Sequence, residues 1–171
     1  MKKLVFIVVL FICVQSFAQK TFEIYNFSSY TVNISSIVTH PTTGGYPEFS
    51  NKWYGGFDIA PGNIYVLENT SNVYRFPFYS PTSIPYMTQW QRLNSPSSVT
   101  MLPSNNAWVL GNNQVFYRLH VFSDTDYHVK TVLGGVYSDP DWMVDADWTA
   151  TYDCSNPAPN VWFYTIVIMD N

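Results

Sequence analysis

Charge is scarce in this chain, and positive charge is scarcest. Only 12% of its 171 residues are Asp, Glu, Lys or Arg, and twelve acids outnumber eight bases. That is about half the charged share of an ordinary globular protein. A nucleic-acid binder needs basic side chains to neutralise phosphates, so the balance excludes that class. Cysteine is nearly absent, with Cys13 and Cys154 alone. Such a chain has no disulfide framework of the kind that staples small secreted domains. Apolar runs are short: the longest, Leu4–Val14, is well under the roughly 20 residues that cross a bilayer as a helix. Apolar residues at helical spacing are missing too. Hydrophobic residues nevertheless make up 47% of the chain, enough for a core and too many for a disordered polymer.

The first eighteen residues have the pattern of an address. Lys2 and Lys3 precede the apolar stretch, and Ser16-Phe17-Ala18 places small residues where a signal peptidase cuts. This predicts a secretory signal peptide over residues 1–18, cleaved near Ala18, and a secreted, periplasmic or cell-surface protein. The short Met-Lys-Lys start has a bacterial look, so the three glycosylation sequons carry no weight. Bulky Phe11 and Ile12 before Cys13 disfavour lipid attachment. Cleavage would remove Lys2, Lys3 and Cys13. The net charge would move from −4 to −6, and Cys154 would be the only thiol. Residues 19–171 then form a single domain held by its core.

The rest of the chain alternates polar and apolar residues with period two, broken by Gly, Pro, Asn and Ser. Predicted strands include Phe22–Tyr25, the stretch through Val32 and Ile34, Trp53–Ile59 and Ile64–Leu67. Further candidates are Val73–Phe76, Val99–Leu102, Ala107–Leu110, Gln114–Phe122, Tyr127–Val136, Trp148–Tyr152 and Val161–Met169. About ten short strands at this spacing predict an all-β, antiparallel β-sandwich, with a β-barrel as the alternative. Val161–Met169 is apolar on both faces and reads as a central strand covered on both sides. Ser123–Asp126 reads as a hairpin loop. An outer-membrane barrel fits poorly, because five prolines from Pro77 to Pro103 break the middle of the chain. Glycine pairs such as Gly44-Gly45 and Gly55-Gly56 read as turns and bulges.

Aromatics are the surplus, at 18% of the chain. Between Tyr74 and Trp90 six aromatics and three prolines fall in seventeen residues, which reads as an ordered extended loop. Rings on such a loop stack on sugar faces or sit at a membrane interface. Tyr79, Tyr86, Trp90 and Trp142 are therefore the candidate ligand-binding residues, with Trp53-Tyr54 on the same logic. Seven of the twelve acids lie between Asp124 and Asp153. Asp139, Asp141, Asp145 and Asp147 form two D-x-D elements that could hold Ca²⁺ through clustered oxygens. Their spacing lacks the glycine and final glutamate of the helix-flanked calcium loop. Cys154 with His40, His120 or His128 would be the only nucleophile–base pairing, and no motif surrounds it.

These features point to a non-catalytic, exported module that recognises carbohydrate or a cell-surface glycan through aromatics, with Ca²⁺ in support. Three alternatives use the same residues differently. The aromatic loop could attach to a membrane or form a pore. The Asp139–Asp147 cluster could serve a hydrolase as acid and base. The chain could also be a structural envelope or filament subunit.

Overall fold

The computed structural model describes residues 19–51, 56–68, 89–110, 113–122, 129–134, 140–158 and 161–171. In order, the elements are β1 (Gln19–Asn26), β2 (Val32–Pro41), β3 (Glu48–Ser50), β4 (Phe57–Ile59), β5 (Ile64–Glu68), β6 (Gln89–Ser95) and β7 (Ser98–Pro103). A short helix α1 (Ser104–Leu110) follows, then β8 (Gln114–Phe122), β9 (Val129–Leu133), β10 (Trp142–Val144), β11 (Trp148–Ala158) and β12 (Val161–Asp170). Among the described residues the strands form two packed sheets and no closed barrel, so the barrel alternative is set aside and the β-sandwich stands.

One sheet has the order β10-β11-β12-β1-β5. β1 runs parallel to β12, and the other pairings are antiparallel. The second sheet has the order β7-β6-β3-β2-β8-β9. β2 anchors it: one edge pairs with β8, and the other pairs with β4 at Val32–Ile34 and with β3 at Val38–Thr39. Between those two partners Asn51 fills the gap. Its side-chain oxygen accepts the Ile37 N–H at 2.6 Å, and its own N–H donates to the Ile37 carbonyl at 3.4 Å. Gly56 allows β4 to approach. A Cβ there would stand 2.5 Å from the Ile34 carbonyl oxygen, closer than a side chain tolerates. At one corner the two sheets meet, where the Gly134 N–H after β9 donates to the Pro140 carbonyl before β10 at 2.9 Å.

Period-two alternation supplies the core. Phe22 and Ile24 of β1, Tyr65 and Leu67 of β5, Trp148, Ala150 and Tyr152 of β11, and Tyr164, Ile166 and Ile168 of β12 all point inward and are buried. The facing sheet contributes Val32, Ile34, Ile37, Phe49, Trp90 and Phe116. Rings pack against rings across the interior. Phe22 stacks on Phe116 at 4.5 Å, Phe57 lies 4.4 Å from Tyr65, and Phe116 meets Tyr152 at 5.4 Å. Each such pair adds about 0.5–1.5 kcal/mol beyond area burial. Much of the aromatic surplus is thus core material.

Several local expectations change. Ala107–Leu110 is helix, not strand: Pro103 ends β7, and Ser104, Asn105 and Asn106 begin α1, as residues that favour helix starts do. Four apolar residues in a row are too few to separate the two periodicities. Trp90 belongs to β6 rather than to the end of a loop, and the segment after Cys154 continues as β11 to Ala158, with a bulge between Ser155 and Ala158. β12 is central, but its outer face is only half-covered. The predicted hairpin of β8 and β9 pairs as expected, while its loop and the predicted strand Val73–Phe76 lie outside the described residues.

Candidate functional site

The inner residues of the five-stranded sheet fix what its outer face must carry, because neighbours along a strand point to opposite sides. Where Phe22 and Ile24 point in, Thr21, Glu23 and Tyr25 point out. Where Ile166 and Ile168 point in, Thr165, Val167 and Met169 point out. Register then lines these residues up across strands. One row runs Trp142–Thr151–Val167–Tyr25–Ile64 through all five strands. With strands about 4.8 Å apart, the Trp142 and Tyr25 positions lie about 14 Å apart. On one side of this row stand Val144, Thr149 and Met169 in register, with Phe27 just past the end of β1. Trp142 is 61% exposed, Phe27 60% and Val144 57%; Ile64 and Met169 are exposed as well. Five large apolar side chains on one sheet face therefore meet solvent.

The rings are held in place. Tyr25 stacks on Phe27 with centroids 5.7 Å apart. The Tyr25 hydroxyl donates to Glu23 Oε2 at 2.6 Å, and that carboxylate pushes the phenol pKa up from its ordinary value. Asn26 sets the turn that presents Phe27. Its amide donates to the carbonyls of Tyr30 and Ile59, both at 2.7 Å, while its oxygen accepts from the Ser28 N–H and hydroxyl. Asp170 at the end of β12 ties down the same turn by accepting from the Ser29 N–H at 2.8 Å and hydroxyl at 3.0 Å.

Trp142 is the sequence candidate that the fold places on this face. Trp90 is not: it is fully buried in the core, and there its ring offers no face to a ligand. Alternation within β6 explains this, since Trp90 pairs with half-buried Leu102 on the inner side of the sheet. Tyr79, Tyr86, Trp53 and Tyr54 lie outside the described residues.

The described acidic candidates lie in two places. Asp139 lies outside the described residues. Asp141 precedes β10, and its carbonyl accepts the Tyr152 N–H at 2.7 Å. Asp145 and Asp147 form the tight β10–β11 turn. Asp145 Oδ1 accepts the Ala146 N–H at 2.7 Å. Asn171 docks on the turn, its amide donating to the carbonyls of Asp145 and Ala146 and its N–H to that of Asp147. Among the described residues no three His, Cys, Asp or Glu side chains gather as metal ligands. Asp145 thus satisfies one backbone N–H of its own turn.

Nucleophilic chemistry finds little support. Cys154 is half-buried, and burial pushes its thiol pKa up, away from the thiolate that attacks. His40 is buried, with Nδ1 against the Pro41 carbonyl. The side chains of His120 and His128 are not among those described. Sequence reasoning missed Tyr25, Phe27, Ile64, Val144 and Met169, although the strand pattern contained the signal. Once Phe22 and Ile24 were assigned inward, Tyr25 had to face out. Compared with known proteins, the chain matches no protein-family model and no curated protein sequence.

Proposed function

We propose that this protein is an exported, non-catalytic binding module that takes carbohydrate or a cell-surface glycan on the outer face of its five-stranded sheet. The observation that carries the reading is the registered row Trp142–Thr151–Val167–Tyr25–Ile64, with an exposed indole at one edge and a braced phenol three strands away. Sugar rings have apolar C–H faces that stack on such rings, and hydroxyls that pair with neutral donors such as Thr149 and Thr151. A flat, preformed face loses little conformational entropy when it binds. Export rests on the leader pattern of residues 1–18. From the sequence, Tyr79 and Tyr86 are proposed as further stacking residues, and Ca²⁺ at Asp139, Asp141, Asp145 and Asp147 would order that acidic segment.

The test is a glycan array with the mature chain, repeated with Trp142→Ala. On the scale of aromatic stacking on nucleobases, losing the indole weakens binding by about 1–3 kcal/mol. A blank array, with and without Ca²⁺, contradicts the reading. For the metal, Ca²⁺ should raise the melting temperature of the mature protein; an unchanged melting temperature removes it.

A second reading, attachment to a membrane surface, draws on the exposed apolar residues Phe27, Val144, Ile64 and Met169 around the same row. Trp and Tyr favour membrane interfaces, but a charge of −6 after cleavage repels anionic lipids. Co-sedimentation with neutral phosphatidylcholine vesicles distinguishes it, since a glycan binder stays in the supernatant.

A further inference from the structure

The charge that the five-stranded sheet shows to solvent has one sign. Among the described residues of its strands and turns, the solvent-facing charged side chains are Glu23, Asp141, Asp145, Asp147, Asp153 and Asp170, all acidic. Its one base, Lys20, points inward and is fully buried.

The acids lie around the aromatic row. Asp153, Thr165 and Glu23 stand in register with one another, two residues along each strand from Thr151, Val167 and Tyr25. That spacing puts this carboxylate row about 7 Å from the aromatic one. At the other end of the sheet, past Val144 and Thr149, Asp147 is exposed in the β10–β11 turn, while Asp145 and Asp170 at that end accept the Ala146 and Ser29 N–H groups. A ligand lying along Trp142 and Tyr25 therefore has a carboxylate row on one side, Asp147 at the turn beyond the other, and no base among the described side chains.

We infer that the face prefers a cationic glycan, one whose sugars carry free amines, over neutral or acidic chains. This inference rests on the carbohydrate reading above and names the substrate class of the same site. The physical basis is complementarity. An ammonium substituent on a sugar stacked at Trp142 or Tyr25 reaches toward a carboxylate row, and the ring faces themselves attract cations. Each exposed ion pair contributes little alone. Repetition along a polymer adds them, so a chain of several amine-bearing sugars gains about tenfold over its neutral counterpart. Uronate or sulfate groups meet like charge and are excluded, which supplies specificity by repulsion.

The experiment is calorimetric titration of the mature protein with three oligosaccharides of equal length: a glucosamine oligomer, its N-acetylated counterpart and an oligouronate. The expected order is amine first, acetylated about tenfold weaker and uronate undetectable. High salt should reduce the amine preference, because exposed charges are screened. Asp153→Asn combined with Asp147→Asn should also reduce it, with unchanged melting temperature confirming the fold. Equal binding of the amine and acetylated chains overturns this inference and leaves the carbohydrate reading standing, as does tightest binding of the uronate. Failure of all three to bind, together with a blank array, overturns both.

Discussion

Lys20 is the residue whose position is hardest to reconcile with its chemistry. It occupies an inward position of β1, two residues before Phe22, and its ammonium donates to the Gln114 carbonyl at 2.6 Å. Burial lowers its pKa from 10.5 to about 8. In the unfolded chain the amine keeps its proton up to about pH 10.5, whereas in the folded chain it gives the proton up near pH 8. Between those values the unfolded state binds more protons, so stability rises with pH across that window. The gain is on the order of 3 kcal/mol. The buried phenols act in the opposite sense. Burial pushes Tyr65 and Tyr152 far above the ordinary value of 10, so the unfolded chain ionises first and stability falls above about pH 10. Chemical denaturation as a function of pH should therefore show stability climbing from pH 8 and turning down above pH 10. In Lys20→Met the climb should disappear; a climb of the same size in that variant would show that Lys20 is not its source. Two tryptophans give a second comparison. Trp90→Ala empties a core site and should cost about 3–5 kcal/mol, while Trp142→Ala should shift the denaturation midpoint only slightly, since the indole is 61% exposed. Equal losses in the two variants would mean that Trp142 serves the core.

At the scale of elements, β2 shows how the seven-stranded sheet manages a break in one strand edge. β4 and β3 pair with the same edge in turn, and the intervening Ile37 is served by the buried Asn51 side chain. Asn51→Ala leaves the Ile37 N–H without that acceptor and should cost about 1–3 kcal/mol. Amide exchange at Ile37 should accelerate in the variant; unchanged protection would show that another group replaces the bond. How much of this was legible in the sequence follows from what each residue signals locally. β1 and β8 could be read from their alternation, and β5 and β12 from apolar runs of strand length that follow turn residues. α1 could not, because Ala107–Leu110 is apolar throughout and its helical form is set by packing on β6 and β7. β3, β6 and β10 were also hidden: β3 and β10 have three residues each, too short for a period, and β6 is polar along much of its length. The acidic stretch looked like one loop because aspartates dominate its composition, yet Met143 turns inward within it and marks β10. The candidate site was half-legible. Trp142 was visible as a lone indole among acids, but its row depends on register between strands distant in sequence, which no local pattern encodes.

At the scale of the whole molecule, the five-stranded sheet presents rings and acids outward over a core it shares with the other sheet. Among the described residues the interior takes many of the large rings, including Phe22, Phe49, Tyr65, Trp90, Phe116, Trp148 and Tyr164. Abundance of aromatics is therefore a weak pointer to binding, and the few left outside carry the information. Tyr46 is exposed on the β2–β3 connection and Val99, Met101, Val109 and Leu110 on β7 and α1, but Tyr25, Phe27 and Trp142 share one outer face with Val144, Ile64 and Met169. Isolated exposed apolar residues are ordinary, whereas a contiguous group on a rigid sheet marks a surface that meets something. The central claim is that this face binds sugar through its rings. Affinity electrophoresis through gels containing soluble polysaccharides tests it most directly, with the wild-type mature chain run beside Trp142→Ala and Tyr25→Ala. The account predicts that at least one polysaccharide retards the wild type and that both variants run faster in that gel while migrating normally in its absence. Retardation that is the same for all three proteins, or found with no polysaccharide at all, would contradict it.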